Sequence, residues 1–357
     1  MIPTPPTPQS SATGEDAAAL AHRLLELVHS SWVAQAVYVT AELGLADLLA
    51  AGPRTSDELA RQTQTDHASL HRLLRALTTI DVCRERDDGR FELASLGAPL
   101  RTDVSSSLRH WTMWWGGNLW PVWGHLLYSV RTGKSARSML TGTEGFGHLE
   151  RDPAAAAVFN KGLAELTTLT AQSVVAAYDF AGLGRIVYIG GGYGQLLAAI
   201  LRANPSAHGV LFDLPHAVDG ARQFMTGAGV AARCEFIAGD FFQSVPAGAD
   251  AYVLKSVIHD WNAERGQAIL ETCRRAMAGN AKARLLLVER LVPRRLEPTA
   301  DHRSLARTDL TMLVALAAQE RTEDDFRQLL DAAGFYVTRI IPAGMTVSII
   351  EAFARPG

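Results

Sequence analysis

Apolar residues recur at helical spacing through the first half of the chain. Leu20, Leu24, Leu27 and Val28 form one apolar face, and Ala34 to Leu49 continue the pattern. In TSDELARQ, Thr55 or Ser56 is placed to cap a helix, with Glu58 near its third position. HASLHRLLRALTTI then sets Leu70, Leu73, Leu74 and Leu77 on one side. CRERDDGRFELA follows, with Asp88-Gly89 as the turn between two short strands. Helix, helix and hairpin predict a winged-helix arrangement.

Near residue 185 the period changes. IVYI, GVLFD, CEFIAG, AYVLKSVI, ARLLLVER and FYVTRIIP are apolar strand candidates. Helical patterns at 194–203, 216–227, 262–278 and 323–333 separate most of them. The alternation predicts a mostly parallel sheet covered on both faces. The last strand, MTVSIIEAFA, follows a short Pro-Ala-Gly turn and reads as an antiparallel hairpin partner. The pattern divides the chain into a disordered tail over 1–14, a mainly helical winged-helix domain over 15–180, and an α/β, Rossmann-like domain over 181–357.

A chain of 357 residues with 48% hydrophobic and 20% charged residues has the composition of a soluble globular protein. Cys83, Cys234 and Cys273 show no metal-ligand or CxxC spacing and read as core thiols of a reducing compartment. With no run of eighteen apolar residues and no basic-then-apolar leader, the expectation is a cytoplasmic protein without membrane contact. A net charge of −3 supplies no field that would draw in nucleic acid. The winged helix invites a DNA-binding reading, but Arg84, Arg86 and Arg90 of the hairpin face Glu85, Asp87, Asp88 and Glu92, and phosphate binding needs a net basic surface. Packing and dimerisation are the expected uses. Residues 108–128 hold five of the seven tryptophans, which suit either a helical core or the wall of a pocket for a flat substrate. His110 and His125 in this stretch read as satisfied core histidines.

The chemistry begins at IGGGYG. An apolar strand runs into Gly190, Gly191, Gly192 and Gly194, and a helix opens behind them. Glycines let the backbone approach a ligand, and the helix start offers free N–H groups. The next strand ends in Asp213, a carboxylate suited to a ribose diol. Leu197 stands where a pyrophosphate motif has its third glycine, so the ligand expected is a nucleoside without a pyrophosphate. Ligands of such sheets sit beyond the strands' carboxyl ends. There the chain offers Asp240 and Phe241, suited to an adenine, then Lys255, His259-Asp260-Trp261, Glu289 and Gln319-Glu320-Arg321-Thr322. A neutral imidazole at His259 is placed to take a proton from an acceptor hydroxyl, with Glu289 and Glu320 orienting the ring. The structural alternatives are that His259 caps the following helix, Glu289 pairs with Arg290, and Glu320 joins a cap with Thr322.

In order and spacing, IGGGYG, GVLFDLP, GDFF, LKSVIHDW, LVER and QERTEDDF resemble the motifs of class I S-adenosylmethionine-dependent O-methyltransferases. They are most similar to those of the plant caffeate-type and bacterial polyketide or aromatic natural-product subfamily. LERDPAAAAVFNKGL extends the resemblance into the first half. The resemblance implies a homodimeric enzyme using S-adenosyl-L-methionine on a hydroxylated aromatic or polyketide-type small molecule. No metal triad stands at ligand spacing in the sequence, which predicts a metal-independent reaction. It places Gly190, Gly192 and Gly194 at the methionine end and ribose, Asp213 and Leu214 at the ribose, Asp240 and Phe241 at adenine, and Lys255 near the sulfonium. His259 would be the general base, framed by Glu289 and Glu320. Trp115, Phe159, Leu163, Asp260, Asp309 and Met312 fall on the acceptor side. Tyr188 stands where the family usually has an Asp, Ala317-Ala318 where it has Gly-Gly, and Leu163 where a Met is common. These departures keep open a relative that binds the cofactor but runs hydroxylation, decarboxylation or cyclisation, or one that methylates carbon.

Overall fold

The computed structural model describes residues 16–344 and 346–356; the expected tail over 1–14 lies outside the described residues. The first half is helical: α1 Ala17–His29, α2 Ser31–Glu42, α3 Leu45–Ala50, α4 Ser56–Thr63, α5 His67–Thr78, α6 Arg109–Met113, α7 Trp120–Trp123, α8 Leu126–Thr132, α9 Ala136–Thr141, α10 Gly147–Arg151 and the long α11 Pro153–Ala177. Thr55 caps α4 in a reciprocal capping box with Glu58. The hairpin β1 Cys83–Glu85 and β2 Phe91–Leu93 pairs antiparallel, and Phe91 closes a core with Leu59, Leu70, Leu74 and Leu77. Arg84 lies 3.4 Å from Asp81, and Arg86 lies 3.4 Å from Glu92, so carboxylates engage these hairpin cations.

Leu20, Leu24, Leu27 and Val28 form the apolar face of α1, which buries no residue in the chain; Leu27 is 71% exposed. One expectation for this half needs correction. His125, expected in the core, is an exposed residue at the N-cap of α8, with its Nδ1 2.9 Å from the Pro121 carbonyl. His110 is satisfied as expected, with Glu165 at 2.7 Å from its Nδ1.

The second half carries β3 Arg185–Ile189, α12 Gln195–Ala203, β4 His208–Asp213, α13 Pro215–Gly227, β5 Cys234–Ala238, β6 Ala251–Lys255, α14 Ala263–Ala276, β7 Arg284–Arg290, α15 Ala300–Leu316, α16 Glu323–Ala332, β8 Phe335–Pro342 and β9 Val347–Ala354. The sheet order is β5-β4-β3-β6-β7-β9-β8, with only β9 antiparallel to its neighbours. Strand residues alternate between two cores: Ile186 and Tyr188 join one, Val187 and Ile189 the other. The order reverses between β3 and β6, which opens a crevice at their carboxyl ends. Helix α15 was not foreseen. Its Val314 and Ala315 pack with Leu119, Val122 and Ala136, which ties the helical half to the sheet half.

Candidate active site

The glycine turn leaves β3 with positive φ at Gly190 (+63°), Gly192 (+54°) and Gly194 (+92°). A Cβ at Gly190 would meet Val257 Cγ2 at 2.8 Å, and one at Gly194 would meet Leu211 Cδ1 at 2.8 Å. A Cβ at Gly192 would meet nothing within 4 Å, so that position opens outward. Asp213 fixes this turn: its Oδ2 accepts from the Gly192 N–H at 2.7 Å and its Oδ1 from the Leu214 N–H at 2.7 Å. Burial pushes the Asp213 carboxyl above its usual range against the pull of those two donors. A cleft of about 470 Å³ runs alongside, lined by Asn160, Tyr193, Leu214, Pro215 and His216 among others. Asp240 caps its own turn, accepting from the Phe242 N–H at 2.9 Å, while Phe241 packs edge-on to Trp261. Lys255 Nζ donates to Thr167 Oγ1 at 3.4 Å. Burial, and then the charge of Arg290, lower Lys255 to about 8. Tyr188 does not face this site; it is 4% exposed and lies in the core beneath Gly191.

Past β6, the chain makes a turn with φ +53° at Ser256 and then a short 3-10 segment, Ile258–Asp260. His259 sits in it, buried. Its Nδ1 is 3.0 Å from Glu320 Oε1 and 3.8 Å from Glu289 Oε2, and its Nε2 is 3.4 Å from Asp260 Oδ1. Burial alone would lower the imidazole, but Glu320, Asp260 and Glu289 outweigh it and raise His259 to about 10. Three carboxylates thus gather around the ring and favour its protonated form. Burial raises Asp260 to about 7 despite the His259 charge.

The structural alternatives for these residues fall away. Asn262, not His259, caps α14, and Thr322 pairs with Asp325 in a capping box that leaves Glu320 free for His259. Glu289 Oε1 accepts from the N–H groups of Val257 at 3.0 Å and Ile258 at 2.9 Å, which fixes the loop that carries His259. Arg321, to which the sequence assigns no role of its own, is 2% exposed and donates to the Ile258 carbonyl at 2.8 Å and the Trp261 carbonyl at 2.6 Å. It staples the loop on both sides of His259. The Glu320 N–H donates to Asp309 Oδ1 at 2.8 Å, so α15 braces the cluster from behind. Ligand atoms of His259, Glu289 and Glu320 lie within 4.8 Å of one another, a span a metal ion could use. Two of those positions are already engaged, Oε1 of Glu289 by backbone and Nδ1 of His259 by Glu320.

An aromatic wall leads from the helical half toward this cluster. Trp114 and Phe159 centroids are 4.8 Å apart, Phe159 and Phe146 5.6 Å, and Phe146 and Trp261 6.3 Å. Trp115 belongs to a neighbouring group, with Trp111 at 6.0 Å, Trp123 at 5.9 Å and Arg307 over its ring. Leu163 is 37% exposed on α11, and Met312 is half-buried on α15, where its carbonyl accepts from the Ala318 N–H. Ala317 ends α15 at φ +54°, a conformation that suits glycine better.

Family models match twice: an O-methyltransferase dimerisation domain over residues 25–103 and an O-methyltransferase domain over 123–336. The phenazine O-methyltransferase of Lysobacter antibioticus is 42% identical over 333 residues, covering 93% of this chain and 95% of its own length. The 8-amino-8-demethylriboflavin N,N-dimethyltransferase of Streptomyces davaonensis is 36% identical, covering 94% and 96%. An O-methyltransferase from neocarzinostatin biosynthesis, crystallised with S-adenosylmethionine and 2-hydroxy-5-methyl naphthoic acid, is 32% identical with a TM-score of 0.77, covering 90% and 96%. This chain belongs to the same O-methyltransferase family, as an S-adenosylmethionine-dependent methyltransferase with a dimerisation domain at its front.

Proposed function

We propose that the enzyme methylates a hydroxyl group of a flat aromatic or polyketide-type acceptor, with His259 as the residue that takes the hydroxyl proton. The observation that supports this reading is the fixing of His259: Glu320 holds Nδ1, and Glu289 and Arg321 clamp the loop on either side. Nε2 is left for a ligand, beside Asp260.

The residues at the glycine turn fit S-adenosylmethionine. Space is open at Gly192, and each Asp213 oxygen has spent one bond, which leaves acceptor positions for a ribose diol. Gly190, Gly192, Gly194, Asp213 and Leu214 would hold its ribose and methionine end, Asp240 and Phe241 its adenine, and Lys255 would line the same cleft. The bound cofactor supplies an electrophilic methyl on sulfonium. Positioning the acceptor oxygen against it supplies most of the rate. Phe159, Met312, Asp309 and Asp260 are the groups best sited to do so, with Trp115 and Leu163 at the margin. Once its own Nε2 proton has left to solvent, His259 draws the hydroxyl proton onto Nε2, and Glu320 and Asp260 stabilise the resulting imidazolium. Base catalysis of this kind is worth roughly 10²–10⁴-fold.

His259→Ala is expected to cut turnover by about that factor while S-adenosylmethionine affinity stays, measured by S-adenosylhomocysteine formation and calorimetry. Turnover that survives while cofactor binding is lost contradicts the assignment. The same assay with EDTA present should give unchanged rates, and a chelator-sensitive rate overturns the metal-free reading. A second reading, methylation of nitrogen, is favoured by the N,N-dimethyltransferase relative. The carbon shift of the transferred methyl in the product separates the two.

A further inference from the structure

Arg137 is a buried charge with no part in the methyl transfer proposed for His259. It is the second residue of α9 and is 5% exposed. Burial lowers its pKa to about 10, so it stays cationic at neutral pH. Its guanidinium sits 5.4 Å over the Trp114 ring and feels the charge of Asp260. Among the described residues, no carboxylate comes within 4 Å of it, and it donates no hydrogen bond.

A buried cation without a partner is costly. The cost of desolvating the ion exceeds what a cation–π contact returns. His148 stands beside it, half-buried, with its ring centroid 6.3 Å from that of Trp114. Its ring nitrogens make no well-formed hydrogen bond, although the Gly145 backbone is close enough to pull on the ring. Burial and the Arg137 charge lower His148 to about 4, which leaves it neutral with one N–H to give. Five donors and one more thus face each other on the aromatic wall that leads to His259.

We propose that Arg137, assisted by His148, binds a carboxylate on the acceptor, which makes the substrate an aromatic hydroxy acid rather than a neutral phenol. The inference rests on the methyl-transfer reading and names the acceptor class of that same site. The planar guanidinium matches a carboxylate in two parallel hydrogen bonds. A doubly charged phosphate fits less well, because Asp260 of the same cluster would repel it.

The test uses 3-hydroxy-2-naphthoate and 6-hydroxy-2-naphthoate with their methyl esters, which keep ring and hydroxyl but lose the charge. Dissociation constants are measured with S-adenosylhomocysteine saturating, and methylated product is measured with S-adenosylmethionine. At least one acid should bind roughly tenfold or more tightly than its ester, the size of a charge-assisted bond. Arg137→Met should erase that gap and Arg137→Lys should keep part of it, with thermal melting checking that each is folded. Equal binding of acid and ester by the unaltered enzyme, or a gap that survives in Arg137→Met, overturns the proposal. Methylation of an ester without any preference for acids leaves the methyl-transfer reading standing and removes this one. Acid binding that depends on Arg137 without methylation of any probe does the reverse.

Discussion

Glu320, Asp260 and Glu289 raise the pKa of His259, and with His259 as the proposed base they set the pH dependence to be expected of turnover. An ordinary phenol ionises near 10, close to the value of about 10 for His259. Proton transfer between the two is therefore nearly balanced. Below that pH the free imidazole and the free phenol each carry a proton, but the reactive pair shares only one. One proton must leave before reaction, so kcat/KM should rise about tenfold per pH unit from 7 toward 9 for a simple phenol. A flat profile over that range contradicts the raised value. His259, Glu289 and Glu320 were legible in the sequence because each lies just past or at the end of an apolar strand or beside a helix cap. Arg321 and Arg137 were not, because an arginine in a polar stretch gives no local sign that tertiary packing will bury it.

At the scale of elements, the β3–α12 turn combines a rigid part and an open part. Gly194 caps α12 at φ +92°, against Leu211 and Met225. Gly194→Ala should therefore destabilise the fold by about 2–3 kcal/mol, seen as a drop in melting temperature. Gly192 has open space on its Cβ side, so Gly192→Ala should cost only about 1 kcal/mol of stability and instead weaken S-adenosylmethionine binding. Unchanged cofactor affinity in that variant would remove the turn from the cofactor site. The strands and most helices were visible because a buried strand or an amphipathic helix repeats its apolar positions locally. Helix α15 escaped notice: its Val314 and Ala315 are buried by α7 and α9 rather than by a simple apolar stripe. Its neighbours, not its own period, decide its burial.

At the scale of the molecule, α1 presents Leu20, Leu24, Leu25, Leu27 and Val28 to solvent in the single chain. Leu25, Leu27 and Val28 fall within the matched dimerisation domain, which makes this patch the expected subunit interface. Light scattering should give twice the chain mass of 38.5 kDa for the unaltered protein and the single mass for a Leu24→Asp, Leu27→Asp double variant. A monomer before substitution, or a dimer after it, would move the interface elsewhere. No helix of the described residues is long and apolar enough to cross a membrane. The amino-acid sequence by itself determined the helix-then-sheet order, the glycine turn with its acid, and the family, because these rest on local periodicity and short motifs. The tertiary structure alone decided which distant groups meet: Glu320 and Glu289 on His259, Arg321 across its loop, and Arg137 on the aromatic wall. Charge state followed from those meetings, since desolvation and a neighbour's field depend on three-dimensional distance, and chain spacing carries no record of it.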